Sequence, residues 1–471
     1  MKLHTEYLAL ILIIGFSFWG CTTQHENSIT PEKPPEKPKE ELFPEETPYE
    51  SISFYISTGN PEKAIAAFEE AYTKDPQGED TQVLYSSLLL TAGKFSEARD
   101  VLNEILSKNP RNTDALYNLA LLEGVTGNSE EKRKILEKIV AIDPQHAEAQ
   151  AALGEFYLEG KNTGKAKDAF KKSLETDPEN VVAGIGYGNI LLREKKPEEA
   201  VAAFTKVIET QPDYSFTYAD RSKAYASMGD HDLAEQDITR AIELDPEYYW
   251  HYIDRGKLRF SFIGDMEGAL ADFNKAIEID PEYFIAYAYR ATINYEMKRY
   301  EEAKADYELA LKAKPGYYYA YSSYGLVSYI LEDYSTAQNY FAKAREYDKE
   351  EWAYILLIGI CLKRQGKAFE AKQFLESNIQ KIPRDNLFYH VGRVMIEPGY
   401  DAIALPLVDK EKDTYLKYRA LYYLGCHYLD QGKPITAYTY FREVKDQRIY
   451  SMFEQRLAEE ALEGANGTFN E

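Results

Sequence analysis

The chain has 471 residues, 44% of them hydrophobic, and a formal net charge of −23. That balance excludes broad electrostatic binding to nucleic acid, which needs a basic stripe against the phosphates, and charge-driven docking on anionic lipid. Three cysteines cannot build a disulfide framework in a chain of this size.

Residues 1–21 read MKLHTEYLALILIIGFSFWGC. Their apolar core, about Leu8 to Trp19, is short for a membrane span and has the length of a secretory signal core. The ending Phe18-Trp19-Gly20-Cys21 resembles a bacterial lipoprotein signal. Gly20 matches the small residue before the cleavage site, and Cys21 matches the lipidated first residue of the mature chain. Phe18 and Trp19 depart from the aliphatic and small residues usual at their places; a simple secretory signal with an incidental cysteine is the alternative. The resemblance implies a membrane-anchored lipoprotein of the bacterial cell envelope, facing the periplasm. The absence of Asp at position 22 would direct it to the outer membrane. Residues 22–48, rich in Pro, Glu and Lys, lack aliphatic periodicity and are expected to form a disordered, extended tether.

From residue 49 a phrase recurs. Pro76, Pro110, Pro144, Pro178, Pro212 and Pro246 are 34 residues apart; Pro281 comes one residue late, and Pro315 resumes the step. Before these prolines stand Ala64, Phe68 and Ala71, then Ala200 and Phe204, Ala234, Ile238 and Ala241, and Ala269, Phe273 and Ala276. This spacing puts small and large apolar residues on one face of a helix that must end before the proline. Glycines such as Gly59, Gly93, Gly229 and Gly264 stop the preceding helix. The Asn or Asp that follows several of them can cap the next, and Pro61, Pro197 and Pro434 fall where a first-turn proline is tolerated. One such helix pair cannot bury its apolar face alone, so neighbours must stack.

At a 34-residue period, with Gly near slot 8, Tyr near 11, Ala at 20 and 27, Phe at 24 and Pro at 32, the chain resembles the tetratricopeptide repeat family. The resemblance implies an all-α fold: a right-handed superhelical solenoid of helix-turn-helix repeats with a C-terminal capping helix. About ten repeats span 49–385. Residues 386–417 form a divergent repeat interrupted by Pro398 and Pro406, residues 418–463 a last repeat and capping helix, and 464–471 a disordered tail. Most of the forty tyrosines read as packing residues whose hydroxyls reach water. Cys361 and Cys426 read as buried, inert thiols, two repeats apart and therefore poorly placed for a disulfide.

No catalytic constellation is present: the histidines are scattered, and the sequence has no His-Glu-x-x-His, Cys-x-x-Cys or phosphate-binding glycine loop. The GIGYGN run at 184–189 reads as small-residue packing. The pairs Asp220-Arg221 and Asp254-Arg255 recur at the same slots, which suggests a structural or groove role. No enzyme, metal or cofactor is expected. The family's first helices line a concave groove, chiefly through slots 2, 5, 6, 9 and 12. Carried onto this chain, that implies Asn189 and Arg193, then Phe216, Asp220 and Lys223, then Trp250, Asp254, Lys257 and Phe260. Tyr289, Thr292 and Tyr295 follow, and finally Tyr319, Ser323 and Tyr329. Tyr117 and Ala219 stand where some family members place lysines for a terminal carboxylate, so no such clamp is expected. The expected function is a scaffold that holds an extended peptide or partner protein in an envelope complex. The alternative is a recognition or regulatory subunit of an envelope enzyme whose catalysis lies in another chain.

Overall fold

A computed structural model describes residues 48–72, 78–447, 449 and 452–466. The signal with Cys21 and the tether up to residue 47 lie outside the described residues. Among the described residues there are 25 α-helices, one π-helical turn and no strand. They fall into two compact units, residues 1–229 and 230–471.

The first unit holds α1 (Pro48–Ser57), α2 (Pro61–Tyr72), α3 (Glu79–Thr91), α4 (Phe95–Lys108), α5 (Thr113–Val125), α6 (Ser129–Ile142), α7 (Ala147–Glu159), α8 (Thr163–Thr176), α9 (Val181–Arg193), α10 (Pro197–Thr210) and α11 (Ser215–Met228). The second holds α12 (His231–Leu244), α13 (Tyr249–Leu258), α14 (Met266–Ile279), α15 (Phe284–Glu296), α16 (Tyr300–Ala313), α17 (Tyr319–Ile330), α18 (Tyr334–Tyr347), α19 (Ala353–Arg364), α20 (Ala368–Ile379), α21 (Leu387–Ile396), α22 (Asp401–Lys410), α23 (Thr414–Asp430), α24 (Pro434–Lys445) and α25 (Phe453–Asn466). Within each unit, helices adjacent in sequence pack against one another, and first helices of successive repeats also touch, as α7 does α9 and α15 does α17.

The periodic residues make the core. Ala200 and Phe204 on α10, and Ala269, Phe273 and Ala276 on α14, have no exposed surface. The small residues let helices approach, and each buried aromatic contributes about 1.5–3 kcal/mol. The helix ends follow from the prolines: Asp280, before Pro281, takes extended backbone at φ −128°, ψ 89°. At the turns within a pair, Gly59 and Gly264 take left-handed backbone. Lys161, Lys195, Lys298 and Glu332 do so without being glycine, at roughly 1–2 kcal/mol each. Capping is selective. Asn162, Asp265 and Asp333 accept a backbone N–H at the starts of α8, α14 and α18, whereas Asn128 and Asp230 make no such bond.

The glycines of GIGYGN answer to their neighbours. A Cβ on Gly184 would stand 2.4 Å from Val207, one on Gly186 2.4 Å from Phe170, and one on Gly188 2.6 Å from Phe204. α9 can lie this close to both α8 and α10 only without side chains there.

The late proline also has a structural counterpart. The extra residue of that repeat is absorbed as a π-helical turn, Arg259–Ile263, where the amide of Gly264 bonds the carbonyl of Arg259 at 2.7 Å. One large cluster of buried apolar residues extends from Ala291 to Leu462. α22 carries Pro406 inside its ten residues. α25 runs through Asn466, so residues 464–466 are helical.

Candidate functional site

In the first unit the predicted residues meet across α9 and α11. The Asn189 amide donates to Asp220 at 3.0 Å, and Lys223 donates to the other oxygen of Asp220 at 3.2 Å. Arg193 is exposed, and Phe216 is partly exposed beside Tyr214, ring centroids 5.4 Å apart. Arg221, next to Asp220, turns away to the hydroxyl of Thr205 at 3.0 Å.

The second unit repeats that division of labour. Asp254 pairs with Lys257 at 4.0 Å on α13, and the Lys257 ammonium lies 5.9 Å from the ring centre of Tyr289 on α15. Arg255 instead grips buried Asp272, with Nη2 2.6 Å from Oδ1, and Arg290 grips buried Asp306 in the same way at 2.6 Å. Arg255 is therefore a clamp between the first and second helices of its repeat, as is Arg290, which follows Tyr289, while Arg221 reaches back to the second helix of the preceding repeat. The carboxylates Asp220 and Asp254 turn instead to Lys223 and Lys257. Tyr289 stacks on Phe273 with centroids 5.3 Å apart and planes 5° from parallel. Trp250 packs on Tyr283 at 5.0 Å and remains 37% exposed. Tyr319 is 68% exposed. Phe260 lies on the π turn, so the inserted residue decides where its ring stands.

Four of the predicted residues are not free to meet a partner. Tyr295 lies under α25, whose Arg456 guanidinium is 5.5 Å from its ring centre. Around it, Tyr300 donates to Glu460 at 2.6 Å, Lys298 pairs with Glu463 at 2.7 Å, and Arg456 pairs with Glu296 at 3.0 Å. The capping helix thus meets residues some 160 positions earlier. Tyr329 is covered by α23, hydrogen-bonded to Tyr422, and burial pushes its hydroxyl well above the usual tyrosine range. The hydroxyls of Thr292 and Ser323 are engaged by Tyr307. Cys361 and Cys426 are free and buried, and burial pushes both thiols up to about 12.

Sequence reasoning missed Tyr283 and Tyr317, which with Phe284 join Trp250 to Tyr319 in ring-to-ring contact, and Tyr318 and Tyr347, which carry the contacts past it. The signal was the tyrosine-rich turns themselves, DPEYYW, DPEYF and KPGYYY. The slot-4 tyrosines do not simply reach water: Tyr218, Tyr287 and Tyr321 donate to the carbonyls of Pro212, Pro281 and Pro315 at 3.1, 3.2 and 2.6 Å.

Three tetratricopeptide-repeat family models match the chain, one over residues 55–123 and 158–224, one over 217–248 and one over 262–318. Among solved structures it is similar to YrrB, described as a TPR protein with an unusual peptide-binding site, at 22% identity and a TM-score of 0.35, over 39% of this chain and 95% of that one. It is also similar to a tetratricopeptide repeat protein from Parabacteroides merdae ATCC 43184, at 22% identity and a TM-score of 0.35, over 52% of this chain and 97% of that one. MamA from Desulfovibrio magneticus RS-1 matches at 20% identity and a TM-score of 0.33, over 36% of this chain and 96% of that one. A comparison with curated proteins finds no match. The segments 55–123, 158–248 and 262–318 thus match tetratricopeptide-repeat models, and the regular elements among the described residues are all helical.

Proposed function

We propose that the chain is a non-catalytic scaffold that holds an extended peptide or a partner protein against the first helices of its repeats. The observation that carries this reading is the group Trp250, Asp254, Lys257 and Tyr289. It combines partly exposed rings with a cation and a carboxylate on two successive first helices. Aromatic anchors amid satisfied charges are what a protein interface uses. In the second unit the surface narrows to these four residues with Phe260 and Tyr319, because the chain's own helices take Tyr295 and Tyr329, and Tyr307 engages Thr292 and Ser323. The first unit offers its own surface, Asn189, Arg193, Phe216, Asp220 and Lys223. The chain's charge of −23 favours a neutral or basic partner.

The test begins with crosslinking in intact cells to recover a partner. Alanine at Trp250, Tyr289 and Tyr319 together is expected to weaken its binding at least about tenfold, or ~1.4 kcal/mol, with helix content by circular dichroism unchanged. A partner that binds the triple variant as tightly as the parent would remove the groove assignment.

The same reading includes an anchor: lipidation at Cys21, with the repeats held in the periplasm on the tether 22–48, at the outer membrane. It rests on the sequence of residues 1–21. Cys21→Ser is expected to move the protein from the membrane pellet to the soluble fraction. Unchanged retention would count against lipidation.

A further inference from the structure

One feature of the second unit reaches beyond that groove. The turns that lead into α13, α15 and α17 place their rings in an unbroken series. Tyr249 meets Trp250 at 5.7 Å, Trp250 meets Tyr283 at 5.0 Å, and Tyr283 meets Phe284 at 6.2 Å. Phe284 then meets Tyr317 at 5.0 Å, Tyr317 meets Tyr319 at 5.7 Å, Tyr319 meets Tyr318 at 4.1 Å, and Tyr318 stacks on Tyr347 at 4.7 Å. The end of the series is open: Tyr318 is 40% and Tyr347 57% exposed, beside the still more exposed Tyr319. A core does not need rings left in water at three neighbouring positions, and the slot-4 tyrosines show how this chain secures a ring when packing is the purpose.

The charge around the series is one-sided. The four turns 245–248, 280–283, 314–318 and 348–351 hold Asp245, Glu247, Asp280, Glu282, Asp348 and Glu350 against Lys314 and Lys349, six carboxylates to two cations, with Glu351 already taken by Arg419. The rings supply flat apolar faces, and the outer tyrosines supply phenol donors. A proline-rich strand matches this surface from the other side. Its pyrrolidine rings are apolar, its carbonyls accept, and its prolines have no N–H to satisfy. Equivalent rings of successive repeats, Tyr283 and Tyr317, are joined by two steps of 6.2 and 5.0 Å, so they stand no farther apart than about 11 Å; a polyproline II helix returns to the same face every ~9 Å.

Resting on the interaction reading above, we infer that this aromatic series is a docking strip for a basic, proline-rich peptide in the polyproline II conformation. The rings take the prolines, and the turn carboxylates take lysines or arginines between them.

The experiment uses the full chain and labelled synthetic peptides followed by fluorescence anisotropy. A peptide of repeated Pro-Pro-Lys triplets is expected to bind at least about tenfold more tightly than one of Ala-Ala-Lys triplets with the same charge. Its affinity is expected to fall at least tenfold in Tyr319→Ala/Tyr347→Ala, whose exposed positions leave the fold intact. Equal binding of the Ala-Ala-Lys peptide would overturn the proline assignment. So would no binding of the Pro-Pro-Lys peptide, affinity untouched by the double variant, or preference for a chitin oligosaccharide. If the crosslinked partner still depends on Trp250, Tyr289 and Tyr319 when the Pro-Pro-Lys peptide fails, the groove stands and only this inference falls.

Discussion

Arg419→Ala is expected to destabilise the second unit by about 3–5 kcal/mol, the usual result of removing one partner from a buried ion pair. Arg419 lies on α23 with almost no exposed surface. Its Nε donates to Glu454 at 2.8 Å, and its Nη2 donates to Glu351 at 2.6 Å. Burial by itself would lower the guanidinium's pKa; the charge of Glu454, with further help from Tyr423 and Glu351, more than reverses this and holds it charged. Phe388, Tyr415 and Phe453 surround it at 5.0–5.4 Å from their ring centres. Glu454, at the start of α25, is 0% exposed, and beyond Arg419 it has Tyr423 as a donor at 2.9 Å. Without the arginine, a carboxylate would remain in an apolar site. It must then take up a proton or open the seam between α23 and α25.

The double variant Arg419→Met/Glu454→Leu separates charge from packing. It is expected to recover most of the loss, since apolar residues of similar volume often replace a buried pair at little cost. Urea unfolding followed by circular dichroism, with hydrogen exchange reporting on α23–α25, measures both variants. A single-variant loss below about 1 kcal/mol would show that the pair is not the fastener described here. The seam bears on function because α25 is what covers Tyr295. Its loosening is expected to raise exchange at Tyr295 and Tyr300 before it affects α13.

Helix order was legible because its determinants are local. In most repeats a proline fixes where the second helix ends, although α18 stops before Asp348-Lys349 without one, and alanine and phenylalanine at helical spacing fix which face is buried. Trp250, Lys257 and Tyr289 could be picked out because their slots repeat. The contacts that take Tyr295 and Tyr329 out of the open surface were not legible. They depend on α25 returning to α15 and α16, and on α23 lying over α17, and no period encodes a meeting of residues about 90 to 160 positions apart. The insertion before Pro281 was visible as a count, but nothing local said that the extra residue would become a π turn under Phe260 rather than a longer loop. Lys161, Lys195, Lys298 and Glu332 hid four turns for a related reason. Stacking neighbours hold the pair together tightly enough to impose a left-handed residue where sequence rules look for glycine. The Asp-Arg pairs were read as one motif. The structure divides them: Arg255 reaches the buried carboxylate of Asp272 on the next helix and Arg221 the hydroxyl of Thr205 on the preceding one, while Asp254 and Asp220 pair with lysines on their own helices.

Phe273→Ala is expected to cost about 3–5 kcal/mol, as large-to-small changes at fully buried aromatics do. Phe273 has no exposed surface, and its ring sits against Gly256 on α13, where a Cβ would meet it at 3.0 Å, and parallel to Tyr289 on α15. One side chain thus supports both helices that carry the predicted surface. Its removal leaves a cavity that the clamp of Arg255 on Asp272, one residue away, keeps from collapsing, so the loss should lie toward the upper end of the range. Phe273→Leu keeps most of the volume and should cost less, but it cannot stack. The two variants therefore separate stability from placement of Tyr289. If Tyr289 binds through a ring held flat by Phe273, Phe273→Leu should weaken the crosslinked partner several-fold while the unit remains folded at the assay temperature. Full affinity in Phe273→Leu would mean that Tyr289 needs only to be present, and the stacked geometry would then belong to packing alone.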